Sequence, residues 1–231
     1  HDRMHSFAGG VLPFGLILGV VTVLMLLEPH LSGTLLILSI GAVLMFVGGT
    51  GLQWFGLAGG LGAAAIAAAV IALPQLVPYA ADRLASWRDP FADPLGEGHQ
   101  TIQSLYAIGS GGAAGLGLGN SVEKQLWLPE STNDFIFSVV CEELGFIGAT
   151  LIIVLFILFI VQGLLIAYRA ENQFCTMVGI GIMAQIAWQV FCNIAVVTNT
   201  IPNTGISLPF FSSGGTSLIL LLAEMGVMVN I

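Results

Sequence analysis

Long apolar runs separated by short polar clusters dominate this chain. Hydrophobic windows of about 20 residues, the length a helix needs to cross a bilayer, predict spans near 11–28, 33–50, 54–77, 136–167, 174–200 and 215–231. The connection Glu28-Pro29-His30-Leu31-Ser32-Gly33 is short, so the first two spans form a tight hairpin with polar groups at its tip. The fourth run exceeds one crossing and is interrupted by Glu142 and Glu143. Its first turns are therefore expected to lie in the interface or to line a cavity, because carboxylates do not face lipid tails. The expected fold is all-α, a polytopic membrane helical bundle: three transmembrane helices in 1–77, an extracytoplasmic loop over 78–133 and three transmembrane helices in 134–231.

Composition agrees with this pattern. Of 231 residues, 56% are hydrophobic and 8% charged, and the mean hydropathy is +0.97, whereas soluble domains carry roughly 25% charged residues. The chain is read as an integral membrane protein. Its net charge of −8 and lack of basic clusters argue against nucleic acid as a partner. Cys141, Cys175 and Cys192 fall in apolar segments without CxxC spacing, which suggests small buried hydrophobes rather than a metal site or disulfide framework. The first apolar run is long enough to stay in the bilayer, unlike a signal peptide. An opening His1 and a last run reaching Ile231 read as part of a longer protein.

Orientation follows from the few cations. Arg3 and Arg169 fall on the same side, which the positive-inside rule makes cytoplasmic. The 78–133 loop, the turn from Pro202 to Phe210 and the hairpin tip then face outward. Small residues at Gly56, Gly60, Ala64 and Ala68 permit close helix approach in lipid. Gln185, Gln189 and Asn193 form an i, i+4, i+8 stripe, which fits interhelical hydrogen bonding or a polar cavity.

The sharpest chemical candidate is Asp134, where the long polar loop re-enters an apolar segment. An ionised carboxylate at a membrane edge costs roughly several kcal/mol. It is therefore either functional or the first turn of a helix, whose dipole favours negative charge. Upstream, Asp89-Pro90 and Asp93-Pro94 read as backbone organisers. The glycine run from Gly109 to Asn120 satisfies a GxGxxG search, but no strand or βαβ pattern precedes it, so a dinucleotide site is rejected. These glycines either let backbone N–H groups approach a phosphate or sugar or simply permit tight turns.

The order of short motifs is more specific than any one of them. Asp93-Pro94, Gly96, Gly98 and Gln100 are followed by Gln103-Ser104-Leu105, Ala107-Ile108-Gly109, Gly117, Gly119-Asn120-Ser121, Lys124, Leu128-Pro129-Glu130 and Asp134-Phe135-Ile136-Phe137. Then come Glu142 to Gly148, Pro202 to Phe210, Ser212, Gly214-Gly215 and Ser217. This series closely resembles the SEDS family (FtsW, RodA and SpoVE), with the FtsW and SpoVE branch nearest. The resemblance implies a ten-span protein of the bacterial cytoplasmic membrane, of which this chain matches the fifth to tenth spans. Three positions depart from the pattern: Asn133 stands for the usual Thr, His99 for a common Tyr, and Ser213 for the Tyr before the paired glycines.

The resemblance also implies an activity, polymerisation of lipid II into peptidoglycan strands by a glycosyltransferase whose catalytic face is extracytoplasmic. Asp134 matches the family's essential aspartate, expected to act as general base on a sugar hydroxyl. Gln103, Ser104, Asn120, Ser121, Lys124, Glu130, Glu142, Thr204, Ser212 and Thr216 make up the expected substrate-binding set. Within it, Lys124 is the first candidate to face the leaving pyrophosphate, or else a solvated lysine, with a divalent cation such as Mg2+ as supplement. Glu130 is read as orienting the pocket or as a solvated residue at a helix start, and Thr216 as a helix cap. A regular helix would put Glu142 near the cavity of Asp134 and turn Glu143 to nearly the opposite side. Glu28 and His30 rank below these residues. A class B penicillin-binding protein is the implied partner. A flippase or transporter for the lipid-linked precursor is the alternative, since intramembrane carboxylates and a polar stripe also describe a translocation path.

Overall fold

The computed structural model describes residues 7–27, 31–60, 84–96, 98–125 and 127–231. Every regular element among them is helical. A π turn, Phe7–Val11, leads into α1 (Leu12–Leu27), and α2 (Leu31–Val47) returns beside it. Leu18 fills the space above Gly41, where a Cβ would stand 2.6 Å from a leucine methyl. The expected hairpin is present as a pair of apolar helices, each shorter than the expected span, and its tip at residues 28–30 lies outside the described residues. Of the third expected span, residues 54–60 are helical and the remainder lies outside the described residues. Gly56 and Gly60 meet nothing within 4 Å, so no described neighbour uses the small-residue stripe there.

The 78–133 segment is not irregular throughout. Residues 84–88 form a helical turn, a 3-10 turn follows at Pro90–Ala92, and α3 (His99–Gly111) packs against the beginning of the fourth expected span. That span is α4 (Ile136–Tyr168), with 33 residues, and α5 (Gln173–Val197), with 25, runs back along it. Both are long and apolar enough to cross a membrane. Asn172 caps α5 by accepting the Cys175 amide at 2.8 Å. A Cβ on Gly179 would lie 2.6 Å from that of Ala167, so glycine lets α4 and α5 approach closely. The last helix, α6 (Gly215–Val229), touches both of them. Phe135, Phe137, Met183, Ile186, Val197 and Leu208 form the centre of the buried core.

α4 is broken at Gly145, whose φ of 67° and ψ of −171° lie outside any helix. From Phe146 to Tyr168 the rise is about 34 Å, which by itself matches a hydrocarbon core of roughly 30 Å. The turns from Ile136 to Leu144 are therefore surplus to a crossing, as the interruption by two glutamates suggested. A break in a buried helix exposes backbone groups that must find partners. The glycine run supplies them: Leu116 and Gly117 donate to the carbonyls of Glu142 and Glu143 (both 2.9 Å), while Phe146 and Ile147 donate to Gly112 (2.9 Å) and Ala113 (3.2 Å).

Candidate active site

Asp134 sits in the turns just before α4, with Phe135 at the N-cap position and no side-chain cap hydrogen bond. The carboxylate is thus not spent on helix capping. Its backbone is held from two sides. The buried amide of Asn193 on α5 donates to the Asp134 carbonyl at 2.7 Å and to the Ile206 carbonyl at 2.8 Å, joining the base-bearing turn to the 202–213 segment. Ser212 donates to the Asn133 carbonyl at 2.8 Å while receiving the Leu208 amide at 2.8 Å. Across this seam Gly205 faces the carboxylate, and a Cβ there would come 3.4 Å from Asp134 Oδ2. Its φ of 65° also favours glycine. The surface before the acid stays open.

Burial raises the Asp134 carboxyl above the ordinary aspartate value, and the neighbouring charge of Glu130 raises it further. Both causes act in the same direction, toward a stronger base. Glu123 is likewise raised, first by burial and then by the charge of Glu142, with His99 opposing. Glu130, Asn199 and Phe210 hold left-handed backbone without being glycine. Such strain concentrates where surrounding contacts over-determine the chain.

The remaining expected residues separate into exposed groups and buried fasteners. Ser104 is fully buried, donates to the Val197 carbonyl at 2.8 Å and shares a 2.6 Å bond with Ser138, so it ties α3, α4 and α5 together. Ser121 is equally buried and donates to Glu142, which also accepts the Val122 amide at 3.0 Å. These three side chains, expected to bind substrate, are buried and hydrogen-bonded within the protein. Glu143 pairs with Lys124 at 2.5 Å, so the two neighbouring carboxylates hold different residues of the same 121–124 loop. The break three residues on allows that loop to lie across both.

Thr216 does not cap α6, because Gly214 occupies the N-cap position without a side-chain bond. Gln103 lies 3.5 Å from the His99 ring, Asn120 donates to the Leu116 carbonyl at 3.1 Å, and the Thr204 hydroxyl is buried without a partner. Gln185 donates to Glu224 on α6 at 3.2 Å, and with Asn193 it gives the polar stripe an interhelical role. The Gln189 amide oxygen stays buried and unpartnered. All three cysteines are free, Cys141 and Cys192 being buried. Among the described residues no three His, Cys, Asp or Glu side chains converge to hold a metal, so Asp134 and Glu130 could offer a divalent cation at most two carboxylates.

A half-buried carboxylate just before a long apolar helix, backed by a pinned loop and facing a glycine, defines an α-helical membrane protein with a candidate acid–base group at Asp134. The family can be stated more closely. A family model described as Cell cycle protein, covering FtsW, RodA and SpoVE, matches residues 2–231, and the chain belongs to that family. Stage V sporulation protein E of Bacillus subtilis (strain 168) is 42% identical over 98% of this chain and 61% of its own length. A probable peptidoglycan glycosyltransferase FtsW of Geobacter sp. (strain M18) is 37% identical over 100% of this chain and 62% of its own. One chain of a solved peptidoglycan synthase complex, concerned with the coordination of polymerization and crosslinking, superimposes with a TM-score of 0.74 at 30% identity, covering 96% of this chain and 61% of that one. The chain spans about three fifths of the length of these relatives.

Proposed function

We propose that this chain carries the catalytic part of a peptidoglycan glycosyltransferase that polymerises lipid II at the extracytoplasmic face of the bacterial cytoplasmic membrane. The observation that carries the reading is Asp134: a half-buried carboxylate, raised in pKa by burial and free of capping duty, at the junction of α4, α5 and the 202–213 turn. A base is most effective when its pKa approaches the working pH. Asp134 accepts the proton of the acceptor's GlcNAc 4-hydroxyl as that oxygen bonds to the donor's MurNAc anomeric carbon. The bond to undecaprenyl pyrophosphate breaks in the same displacement, and the anomeric centre inverts. One carboxylate suffices for this single displacement.

Other features support the same reading. Lys124 is the cation nearest in sequence to Asp134, and it reaches the leaving pyrophosphate by exchanging Glu143 for a phosphate oxygen. Beside the Ser212 seam, Phe156, Phe159, Phe210, Phe211 and Met225 line an apolar groove of about 340 Å³ that suits an isoprenoid chain. Arg169 caps the far end of α4, and a cytoplasmic Arg169 leaves Asp134 outside. A class B penicillin-binding protein is the fitting partner, in keeping with the similarity to a synthase complex that couples polymerization to crosslinking.

Asp134→Ala in the full-length protein is the direct test: polymerisation of purified lipid II is lost while the protein stays folded, with a melting temperature no lower than wild type. Retained polymerisation would refute the assignment of the base. The flippase reading draws on the Gln185–Glu224 pair and the unpartnered Gln189 oxygen. Loss of lipid II movement across vesicles with polymerisation intact would favour it.

A further inference from the structure

The turn that carries Asp134 and the 208–213 turn facing it are joined through two side chains, Asn133 and Ser213. Ser213 donates its hydroxyl to Asn133 Oδ1 at 2.7 Å, a longer side chain at one position meeting a shorter one at the other. The other end of the same amide donates to Glu130 Oε2 at 2.6 Å. Backbone bonds repeat the link, since the Ser213 amide donates to the Thr132 carbonyl at 2.8 Å and the Asn133 amide to that of Glu130 at 3.0 Å. Glu130 is exposed and left-handed at φ 53°, so its carboxylate would otherwise sample solvent freely. Both donor and acceptor capacity of Asn133 are thus committed, one to a charge and one to the facing turn.

We propose that Asn133 and Ser213 form a coupled positioning pair for the base at Asp134: the Asn133 amide holds the Glu130 carboxylate at a set distance from Asp134 and locks the 208–213 turn across the site. This inference rests on Asp134 acting as the base. Glu130 is the charged group that acts on Asp134, while α5 and the facing 203–213 turn contribute no ionised side chain and His99 on α3 acts on Glu123. Moving Glu130 therefore changes base strength, whereas a purely structural bond would alter stability alone. A threonine at 133 facing a tyrosine at 213 would meet in the same gap with the long and short partners exchanged.

The test uses the full-length protein with purified lipid II, with the pH profile of polymerisation and the melting temperature read for each variant. Asn133→Ala releases Glu130 and moves the acid limb to lower pH; Asn133→Asp adds a charge and moves it higher. Asn133→Thr and Ser213→Tyr each lower turnover by about tenfold or more, the scale of a displaced catalytic group. The double exchange recovers most of the loss. An unmoved limb in both Asn133→Ala and Asn133→Asp, or a double exchange no better than its worse single, overturns the proposal. Should the Asn133 variants fail to fold, Ser213→Ala at the exposed end of the bond must still shift the limb in the direction of Asn133→Ala, and a profile like wild type overturns the proposal. Asp134→Ala separates the two levels: if it stays active the base reading itself fails, and if it is inactive while the limbs stand still only the positioning pair fails.

Discussion

Asn193 on α5 holds the carbonyl of Asp134 at 2.7 Å, and with the same nitrogen it holds the carbonyl of Ile206 at 2.8 Å. One fully buried side chain thus joins the base-bearing turn to the segment facing it. Replacing it with Ala leaves two part-buried carbonyls without this donor, each at a cost below the roughly 1–3 kcal/mol of a fully buried group. Asn193→Ala is expected to lower the melting temperature and to reduce turnover more than substrate affinity. Thermal unfolding alongside steady-state polymerisation checks this, and an unchanged turnover would show that the seam does not position Asp134.

The raised carboxyl of Asp134 sets the sign of two pH effects. A base must be ionised, so activity rises with pH along a limb lying above the ordinary aspartate value of 3.8. Glu130→Gln removes the second cause of the shift and moves the limb down, which a pH–rate profile detects. Folding is affected in the opposite sense. Below the ordinary value both folded and unfolded chains are protonated and nothing changes; above the raised value the ionised, desolvated group opposes folding. Asp134→Asn should therefore raise the melting temperature at neutral pH, with the gain fading near pH 3, below that ordinary value.

The broken helix makes a prediction about glycines. A Cβ at Gly145 would overlap the Gly115 nitrogen and the Ala113 carbonyl, and one at Gly115 would overlap the Glu143 carbonyl. Both positions also have positive φ, 67° and 79°. Gly145→Ala and Gly115→Ala should each destabilise by more than the roughly 1–3 kcal/mol of backbone strain alone. Gly109, on α3 with open space around its Cα, tolerates Ala with about 0.5–1 kcal/mol of gain. Melting temperatures of the three variants decide the matter, and equal values would contradict the docking of the glycine run.

Lys124 and Glu143 are partly exposed, with side-chain accessibilities of 32% and 14%. Exposed pairs contribute only about 0–1 kcal/mol to stability. Lys124→Met should accordingly leave the melting temperature nearly unchanged while lowering polymerisation by about tenfold or more through the lost charge at the leaving group. A variant that melts early but keeps full specific activity would make the pair purely structural.

The candidate site was legible to different depths. Asp134 stood out because a carboxylate at the edge of an apolar run has few inexpensive explanations, and the glutamate doublet marked an irregular start to α4. Asn133, Asn193 and Ser213 carry no such mark. A neutral amide or hydroxyl beside a turn is commonplace, and its importance lies in partners as far as 80 residues away along the chain. For Ser104, Ser121 and Glu142 the motif could not reveal that each lies buried in a hydrogen bond to another element.

What the sequence determined by itself is the all-helical, apolar character of the chain, its family and the choice of candidate base. Bilayer thickness imposes a span length that any helix must satisfy, and motif order survives without coordinates. Only the tertiary structure decided that the glycine run closes a break at Gly145, that Lys124 answers Glu143, and that burial and the nearby Glu130 raise the Asp134 carboxyl. Each of these depends on the distance between groups brought together by folding, and electrostatics and hydrogen bonding fall off over a few ångströms that no local pattern of residues encodes.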